Sequence, residues 1–372
     1  MLEIGARVLS FPVGVLIIVL TLFSAIRTFV LPRSARDPLT RRIFLSSRKV
    51  FTWLTRKATT YEQRDAVWAM YAPITLLLMP VVWITLVMTG YALIYWSIGV
   101  PSLYDSFIIS GSSILTLGFA PTTGLPATVF EFTEAMLGLI LIALLIAYLP
   151  TMYSAFSQRE AMVTLLEVRA GSPPFAIEMF KRFQRLHGMH QLHQVWEEWE
   201  RWFVMVEETH TSLAALTFFR SPQSDRSWVT ASGAILDAAS LAASTLDLPR
   251  DAQADLCIRA GYIALRRICD FFRLEYNPHP QPGDPISITR DEFNEACDQL
   301  LAAGVPLKAD RDQAWRDFAG WRVNYDVPLL RLASLTMAPY APWSSDRSLR
   351  TFRSPRWTRR RKAETPQPEL TP

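Results

Sequence analysis

The chain contains 372 residues, of which 50% are hydrophobic and 19% are charged, and its formal net charge is +4. Soluble domains average about 25% charged residues, so this composition argues against a wholly soluble protein. The three cysteines exclude a disulfide scaffold, and the small net charge gives no indication of a nucleic-acid partner.

The first predicted element is a membrane anchor within residues 1–32. Residues 9–31 are apolar over more than the roughly 20 residues that a bilayer crossing requires. Their one charge, Arg27, lies near the end of the segment. A cleaved signal peptide is the alternative, but no clear small-x-small cleavage site precedes Arg27. We therefore expect a retained transmembrane helix.

Residues 33–64 form a strongly basic connection to the next apolar segment. Its two acidic residues, Asp37 and Glu62, are outnumbered by basic residues, namely Arg33, Arg36, Arg41, Arg42, Arg48, Lys49, Arg56, Lys57 and Arg64. The positive-inside rule places this connection on the cytoplasmic side of the membrane, which puts the N-terminus outside.

Two further apolar segments, residues 66–98 and 129–156, are long enough to cross a bilayer. Basic residues follow the second segment, so both outer flanks are predicted to be cytoplasmic. Residues 101–121 lie between the two segments and form either a fourth span or a re-entrant segment. Re-entry keeps both basic flanks on one side, so the charge distribution favours it. Irregular backbone at membrane depth needs surrounding protein or water, so re-entry predicts a pore or a buried site.

The predicted re-entrant segment opens with a short helix, because Ser102 and Asp105 have the spacing of a helix cap. After about Leu115 the sequence continues Thr116, Leu117, Gly118, Phe119 and Ala120, followed by Pro121. This arrangement resembles the potassium-channel pore family. That family's filter reads Thr-(Val or Ile)-Gly-(Tyr or Phe)-Gly, after a short pore helix and before a pore-lining inner helix. The resemblance covers residues 65–157, about a quarter of the chain.

The resemblance implies that residues 116–120 are a selectivity filter for potassium, or for other monovalent cations, on the axis of a homotetramer. In such a filter, backbone carbonyls replace the water shell of the ion. Consecutive inward carbonyls require alternating backbone handedness, which glycine adopts most easily. The family's second glycine is Ala120 here, and its usual aspartate is Pro121. A left-handed alanine costs about 1–2 kcal/mol. We therefore expect either strain at Ala120 or an outermost carbonyl that turns away.

Four residues of the following span are further candidates. Gly138 and Pro150 are predicted hinges, since Gly138 stands where many members of the family carry a hinge glycine and Pro150 lies near the cytoplasmic end. Glu131 and Glu134 are predicted at the outer mouth, where they would concentrate cations or hydrogen-bond to Ser112, Ser113 or backbone amides around the filter. Interfacial carboxylates that face headgroup water are the alternative.

Residues 158–340 are predicted to form a cytoplasmic all-α domain. We expect helices at residues 175–186, 189–212, 226–246, 251–274, 290–303 and 310–335. Trp196, Trp199 and Phe203 recur at helical spacing, which indicates a packed core face. No nucleotide-binding glycine motif and no catalytic spacing occurs in the sequence, so neither a cofactor nor an enzymatic activity is expected.

Two weaker candidates complete the chain. His190, His193 and Glu197 would share one helix face as a possible metal site, although surface histidines without a metal are the commoner case. Residues 341–372 are a basic tail, predicted to be disordered and either solvated or in contact with anionic lipid.

Together these features predict an all-α protein of the plasma or inner membrane. The anchor precedes an outer helix, a re-entrant pore loop and an inner helix, in a pore module over residues 65–157, and the cytoplasmic helical domain follows. The expected function is passive conduction of potassium or other monovalent cations through a homotetramer. The soluble domain would serve gating or assembly, with an unidentified cytoplasmic ligand or partner. The alternative is a non-conducting membrane-anchored sensor or scaffold with a degenerate pore-like fold.

Overall fold

The computed structural model describes residues 2–29 and 37–347, which fold into helices without a named β-strand. The α-helices are α1 (Leu2–Phe29), α2 (Pro38–Leu54), α3 (Tyr61–Ala69), α4 (Tyr71–Ser97), α5 (Leu103–Ile114), α6 (Leu125–Ala170), α7 (Ala176–Arg185), α8 (Leu192–Ser212), α9 (Trp228–Ser244), α10 (Ala252–Phe272), α11 (Arg290–Ala302), α12 (Arg311–Arg322) and α13 (Asp326–Thr336). Short 3₁₀ helices occupy Thr55–Lys57, Met189–Gln191 and Ala214–Phe218.

Three helical segments are long and apolar enough to cross a bilayer, as many as the sequence predicts. They are Ile4–Phe29, Tyr61–Ser97 and Leu125–Ala170. The helical composition and these three segments agree with the predicted all-α membrane protein.

Helices α1 and α4 approach each other closely at Gly14 and Gly90. A Cβ atom built on Gly14 would lie 2.4 Å from the carbonyl oxygen of Gly90, so a larger residue at position 14 would force the helices apart. Small residues at such crossings let backbones pack closely where lipid gives no hydrophobic driving force. The anchor helix α1 therefore packs directly along α4.

The described part of the basic connection is helical. Asp37 caps α2 by accepting a hydrogen bond from the amide of Thr40 at 2.7 Å, and the hydroxyl of Ser24 in α1 donates to the same carboxylate at 2.6 Å. This pairing holds the start of α2 against the last turns of α1. Arg33 and Arg36 lie outside the described residues.

Helix α6 is longer than the span predicted from the sequence. It contains 46 residues and continues through Pro150 to Ala170. At 1.5 Å per residue its length is about 69 Å, more than twice the roughly 30 Å of the hydrocarbon core. One uninterrupted helix therefore joins the apolar segment to the C-terminal domain.

The C-terminal domain has a single large core, and the predicted aromatic stripe belongs to it. Trp196, Trp199 and Phe203 are at most 1% exposed, which confirms their core assignment. A burial pattern of this kind is what a helix packed on several neighbours requires.

The prediction of one helix over residues 310–335 was wrong, because the helix ends at α12 and a new one begins at α13. Pro328 lies near the start of α13 and has no amide to continue the ladder of α12. The fully buried guanidinium of Arg322 donates through Nε to Asp326 at 2.8 Å and also pairs with Asp237. The turn is therefore fixed by a buried ion cluster that joins α9, α12 and α13.

The packed domain extends further than predicted at its C-terminal end. Ala341 and Trp343 are buried, and the ring of Trp343 packs against Phe175 and Phe318. The predicted start of a disordered tail at residue 341 was therefore wrong, because these side chains contribute to the core. The basic cluster around Trp357 lies outside the described residues.

Candidate functional site

The site begins at α5, the short helix between the last two membrane-length helices. The Ser102 hydroxyl oxygen accepts a hydrogen bond from the amide of Asp105 at 3.0 Å, as the cap spacing predicted. α5 has 12 residues and a length of about 18 Å, too short to cross a bilayer. It packs against both α4 and α6, and the Ser110 hydroxyl lies 2.9 Å from the carbonyl oxygen of Met88.

The segment after α5 is organised by Ser112. The carbonyl oxygen of Ser112 accepts hydrogen bonds from the amides of Leu117 at 2.8 Å and Gly118 at 3.2 Å. The hydroxyl oxygen of the same residue accepts from the amides of Phe119 at 3.0 Å and Ala120 at 3.1 Å. One buried serine therefore gathers four consecutive backbone amides on one side of the chain.

The carbonyl groups of this segment point away from Ser112. In a trans peptide the C=O bond is antiparallel to the N–H bond, so amides that face Ser112 direct the carbonyls of residues 116–119 to the opposite side. No donor among residues 2–29 and 37–347 bonds these four oxygens. Leu117 and Phe119 are 60% and 63% exposed in the single chain. Within the described chain these four oxygens are therefore unpaired, in a stretch whose residues are all exposed.

The backbone of the segment alternates in handedness. Thr116 has φ of 56° and Gly118 has φ of 70°, whereas Leu117, Phe119 and Ala120 have negative φ. The strain considered at Ala120 is thus absent there and falls on Thr116, a β-branched residue for which a positive φ is unusual. Such strain persists only where surrounding contacts impose it, here the amide of Thr116 on the carbonyl of Ser113 at 2.9 Å.

The two carboxylates predicted at the outer mouth occupy different environments. Glu131 is half-buried and accepts a hydrogen bond from the amide of Thr122 at 2.6 Å, which holds the turn after the segment. Glu134 is fully buried and accepts from Tyr95 at 3.0 Å and from Ser110. Glu134 therefore joins α5 to α4 and α6, and Glu131 holds the turn after the segment, whereas a role of either carboxylate at an outer mouth stays a prediction.

Gly138 lies against the end of α5. A Cβ atom on Gly138 would stand 2.3 Å from the carbonyl oxygen of Ile114, so only glycine lets α6 approach this carbonyl. This contact gives Gly138 a packing role that the sequence did not indicate. Its use as a hinge, with Pro150, stays a prediction.

The C-terminal third of α6 is tied to the rest of the C-terminal domain through Arg159. Its fully buried guanidinium donates to the carbonyl oxygens of Leu216 and Phe219, each at 2.8 Å, and lies 3.2 Å from Nε2 of His210. Nδ1 of His210 lies 2.9 Å from the carbonyl oxygen of Val206. Neutral His210 can donate through Nδ1 and accept through Nε2, so it suits both neighbours.

The start of the second span is tied to the same loop. Arg220 pairs with Asp65 in α3 and donates to the carbonyl oxygen of Thr336 at 2.9 Å. Phe218 packs edge-on against Tyr71. Residues 213–220 thus contact the bases of both spans that flank α5. Sequence reasoning missed this connection, although a charged residue such as Arg159 at the end of an apolar helix was a visible indication.

The histidine cluster does not form the predicted shared face. His190 lies in the 3₁₀ turn Met189–Gln191, and α8 begins only at Leu192. Nδ1 of His193 is 3.0 Å from the carboxylate of Asp251, while Glu197 pairs with Arg201 at 2.5 Å. In the described part of the chain, no group of three or more candidate ligands is arranged to hold a metal ion.

No protein-family model, no curated protein and no solved structure matches this chain. The geometry around Ser112 is therefore the main support for a function.

Proposed function

We propose that the protein is a passive cation channel, with residues 116–120 as its filter and potassium as the expected permeant ion. One observation carries the proposal: Ser112 holds four consecutive amides, and the carbonyl oxygens of residues 116–119 are left without a donor in the described chain. Oxygens in such a row can replace the hydration shell of a monovalent cation.

The exposure of this segment supports assembly around an axis. A single row of carbonyls cannot enclose an ion, and each subunit supplies one row. Four copies would surround a cation with oxygens and would cover Leu117 and Phe119, which are more than half exposed in one chain. A closed ring of identical subunits is the ordinary solution for such an interface. The proposed assembly is therefore a homotetramer.

The direction of α5 supports a cation rather than an anion. The C-terminal end of a helix carries a partial negative charge, and residues 116–120 begin directly after the end of α5. The carbonyl oxygens of residues 116–119 also carry partial negative charge, which attracts a cation. The proposed orientation places the basic connection and the C-terminal helical domain in the cytoplasm. That domain would act on gating or assembly rather than as an enzyme.

The test is cation flux in liposomes that contain the purified full-length chain, with potassium and sodium gradients compared. Gly118→Ala is the decisive variant, because position 118 has positive φ and a Cβ atom there strains the filter backbone. We expect potassium flux in the unaltered protein and at least a tenfold loss in Gly118→Ala.

The matched control is Gly99→Ala. Gly99 also has positive φ, at 116°, and open space around its Cβ position, but it lies before α5. It carries similar backbone strain outside the proposed filter, so its flux should remain near that of the unaltered protein. Equal loss in both variants, or unchanged flux in Gly118→Ala, contradicts the filter assignment. Absence of flux in the folded, unaltered protein favours the non-conducting sensor or scaffold.

A further inference from the structure

A second surface of the molecule combines exposed apolar and basic side chains. We propose that the outer face of α2 and the following turn Thr55–Lys57 binds the anionic headgroups of membrane phospholipids. This proposal concerns a site separate from residues 116–120 and does not depend on ion conduction.

The position of α2 is fixed by the ends of two membrane-length helices. The hydroxyl of Thr28, in the last turn of α1, lies 2.8 Å from that of Thr40, in the first turn of α2. The hydroxyl of Tyr71, the first residue of α4, donates to the carbonyl oxygen of Phe44 at 3.0 Å. Both contacts place α2 beside the end of α1 and the start of α4, where these two membrane-length helices would leave the bilayer.

The inner face of α2 is already occupied by protein. Ile43, Ser47 and Phe51 recur at every fourth position and are buried. The ring of Phe51 packs on Trp68 and Tyr71, with centroids 6.0 and 5.5 Å away. This packing orients the helix and determines which side chains remain outside.

The outer face has the composition of a membrane-surface helix. Its exposed apolar side chains are Leu45, Val50, Trp53 and Leu54, with Trp53 at 63% and Val50 at 54% exposure. Exposed cations alternate with them, namely Arg42, Lys49, Arg56 and Lys57. Apolar side chains and tryptophan can enter the boundary between headgroups and acyl chains, while the cations meet phosphate.

Three of the cations on the outer face have no hydrogen-bond or ion-pair partner in the described chain. The side chains of Arg42, Lys49 and Arg56 make no hydrogen bond or ion pair with residues 2–29 or 37–347. Arg48, on the inner side, instead lies 3.4 Å from the carbonyl oxygen of Leu335. Three cations without a partner in the described chain, together with the exposed Lys57, suit a polyanionic surface, and a second copy of this face would bring like charges together. The charge complementarity therefore selects anionic lipid.

The experiment uses the full-length protein in a neutral maltoside detergent, with the thermal unfolding midpoint as the readout. Dioctanoyl-phosphatidylglycerol is titrated, with dioctanoyl-phosphatidylcholine and inorganic phosphate as separate arms. We expect a saturable rise of the midpoint with phosphatidylglycerol alone, and a weaker rise at high salt because the contact is electrostatic.

The decisive variant is Arg42→Gln/Lys49→Gln. Each cation near an anionic surface contributes about fivefold to the affinity, so loss of two should increase the half-saturating concentration roughly 25-fold. The control Arg185→Gln/Arg259→Gln removes two exposed cations of the C-terminal domain and should leave that concentration unchanged. Equal stabilisation by phosphatidylcholine or by phosphate, no stabilisation by phosphatidylglycerol, or equal changes in both double variants overturns the proposal.

A second measurement needs no charge variant. The protein is reconstituted into mixed phosphatidylglycerol and phosphatidylcholine vesicles in which one lipid at a time carries brominated acyl chains, which quench nearby tryptophan. The difference in fluorescence between the unaltered protein and Trp53→Phe reports Trp53 alone. We expect brominated phosphatidylglycerol to quench that component more strongly than brominated phosphatidylcholine at equal mole fraction. Equal quenching by the two lipids, or none, contradicts enrichment of anionic lipid at α2.

Discussion

The hydroxyl of Ser112, inside α5, accepts a hydrogen bond at 3.1 Å from the amide of Ala120, eight residues further along the chain. Ala120 is the position at which the segment departs from the glycine of the potassium-channel pattern. The serine side chain therefore fixes the backbone at a position where alanine lacks the conformational freedom of glycine.

Replacement of Ser112 by alanine removes the acceptor for the amides of Phe119 and Ala120 but keeps the carbonyl that binds Leu117 and Gly118. Two amides left without their partner cost about 1–3 kcal/mol. We expect the outer half of the segment to lose its fixed direction, so the ratio of potassium to sodium flux in liposomes should fall severalfold. Ser106→Ala is the control, because among the described residues its hydroxyl bonds the carbonyl of Ser102 at 2.9 Å and none of the amides of residues 117–120. Unchanged selectivity in Ser112→Ala contradicts the positioning role.

Gly138→Ala separates packing from hinge motion. The added methyl group would meet the carbonyl oxygen of Ile114, which belongs to the backbone and cannot rotate away. Overpacking of this kind costs about 1–3 kcal/mol, so the thermal unfolding midpoint in detergent should fall by several degrees. Gly5→Ala is the control, since nothing lies within 4 Å of its added methyl group. An unchanged midpoint with altered channel opening would instead support the hinge.

Arg159→Lys tests the attachment of α6 to the loop that follows α8. A lysine ammonium cannot reproduce the fork with which arginine binds the carbonyl oxygens of Leu216 and Phe219. The lost bonds lower the free energy of local opening by about 1–3 kcal/mol. Hydrogen exchange of the amides in Ala214–Phe218 should therefore accelerate by roughly ten- to hundredfold. Arg169→Lys, at a half-exposed pair with Glu198, should leave that exchange unchanged.

His210 makes the stability of the protein sensitive to acid. Burial, followed by the charge of Arg159, holds the pKa of His210 well below its usual 6.5. Below about pH 6.5 the unfolded chain gains a proton that the folded chain excludes, so stability present at neutral pH declines as pH falls.

The check is the thermal midpoint of the unaltered protein, His210→Gln and His193→Gln between about pH 8 and about pH 5. Removal of the titrating ring in His210→Gln should flatten the acid decline by up to about 1.4 kcal/mol per pH unit. His193→Gln is the control, because His193 is 65% exposed and lies outside the buried cluster of His210 and Arg159. Parallel slopes for all three proteins would show that another group controls the acid response.

Strong local patterns made part of the fold predictable. Three apolar stretches gave the membrane-length helices, the cap at Ser102 gave the start of α5, and the tryptophan spacing gave a core face of α8. In each case the information lies within a few turns of the chain, where periodicity and capping act.

The features that escaped prediction depend on distant residues. α2 was hidden because its buried positions, Ile43 and Phe51, stand among many basic residues whose charge dominated the interpretation. The break before α13 follows from the ion cluster of Arg322 with Asp237, 85 positions apart in the sequence. The role of Ser112 arises only when the chain turns back on α5, which composition and spacing do not encode.

The continuous α6 has a mechanical consequence. Since no loop separates the portion beside α5 from the portion that ends at Ala170, torque applied at the lower end is transmitted along a stiff rod. Pro150 interrupts the hydrogen-bond ladder near the middle of that rod and supplies its most compliant point. Arg159, about 14 Å further along the helix at 1.5 Å per residue, anchors it to Leu216 and Phe219. A small rotation of the C-terminal domain would therefore displace Gly138 and the end of α5. The flexibility of α6 at Pro150 would determine how large that displacement is.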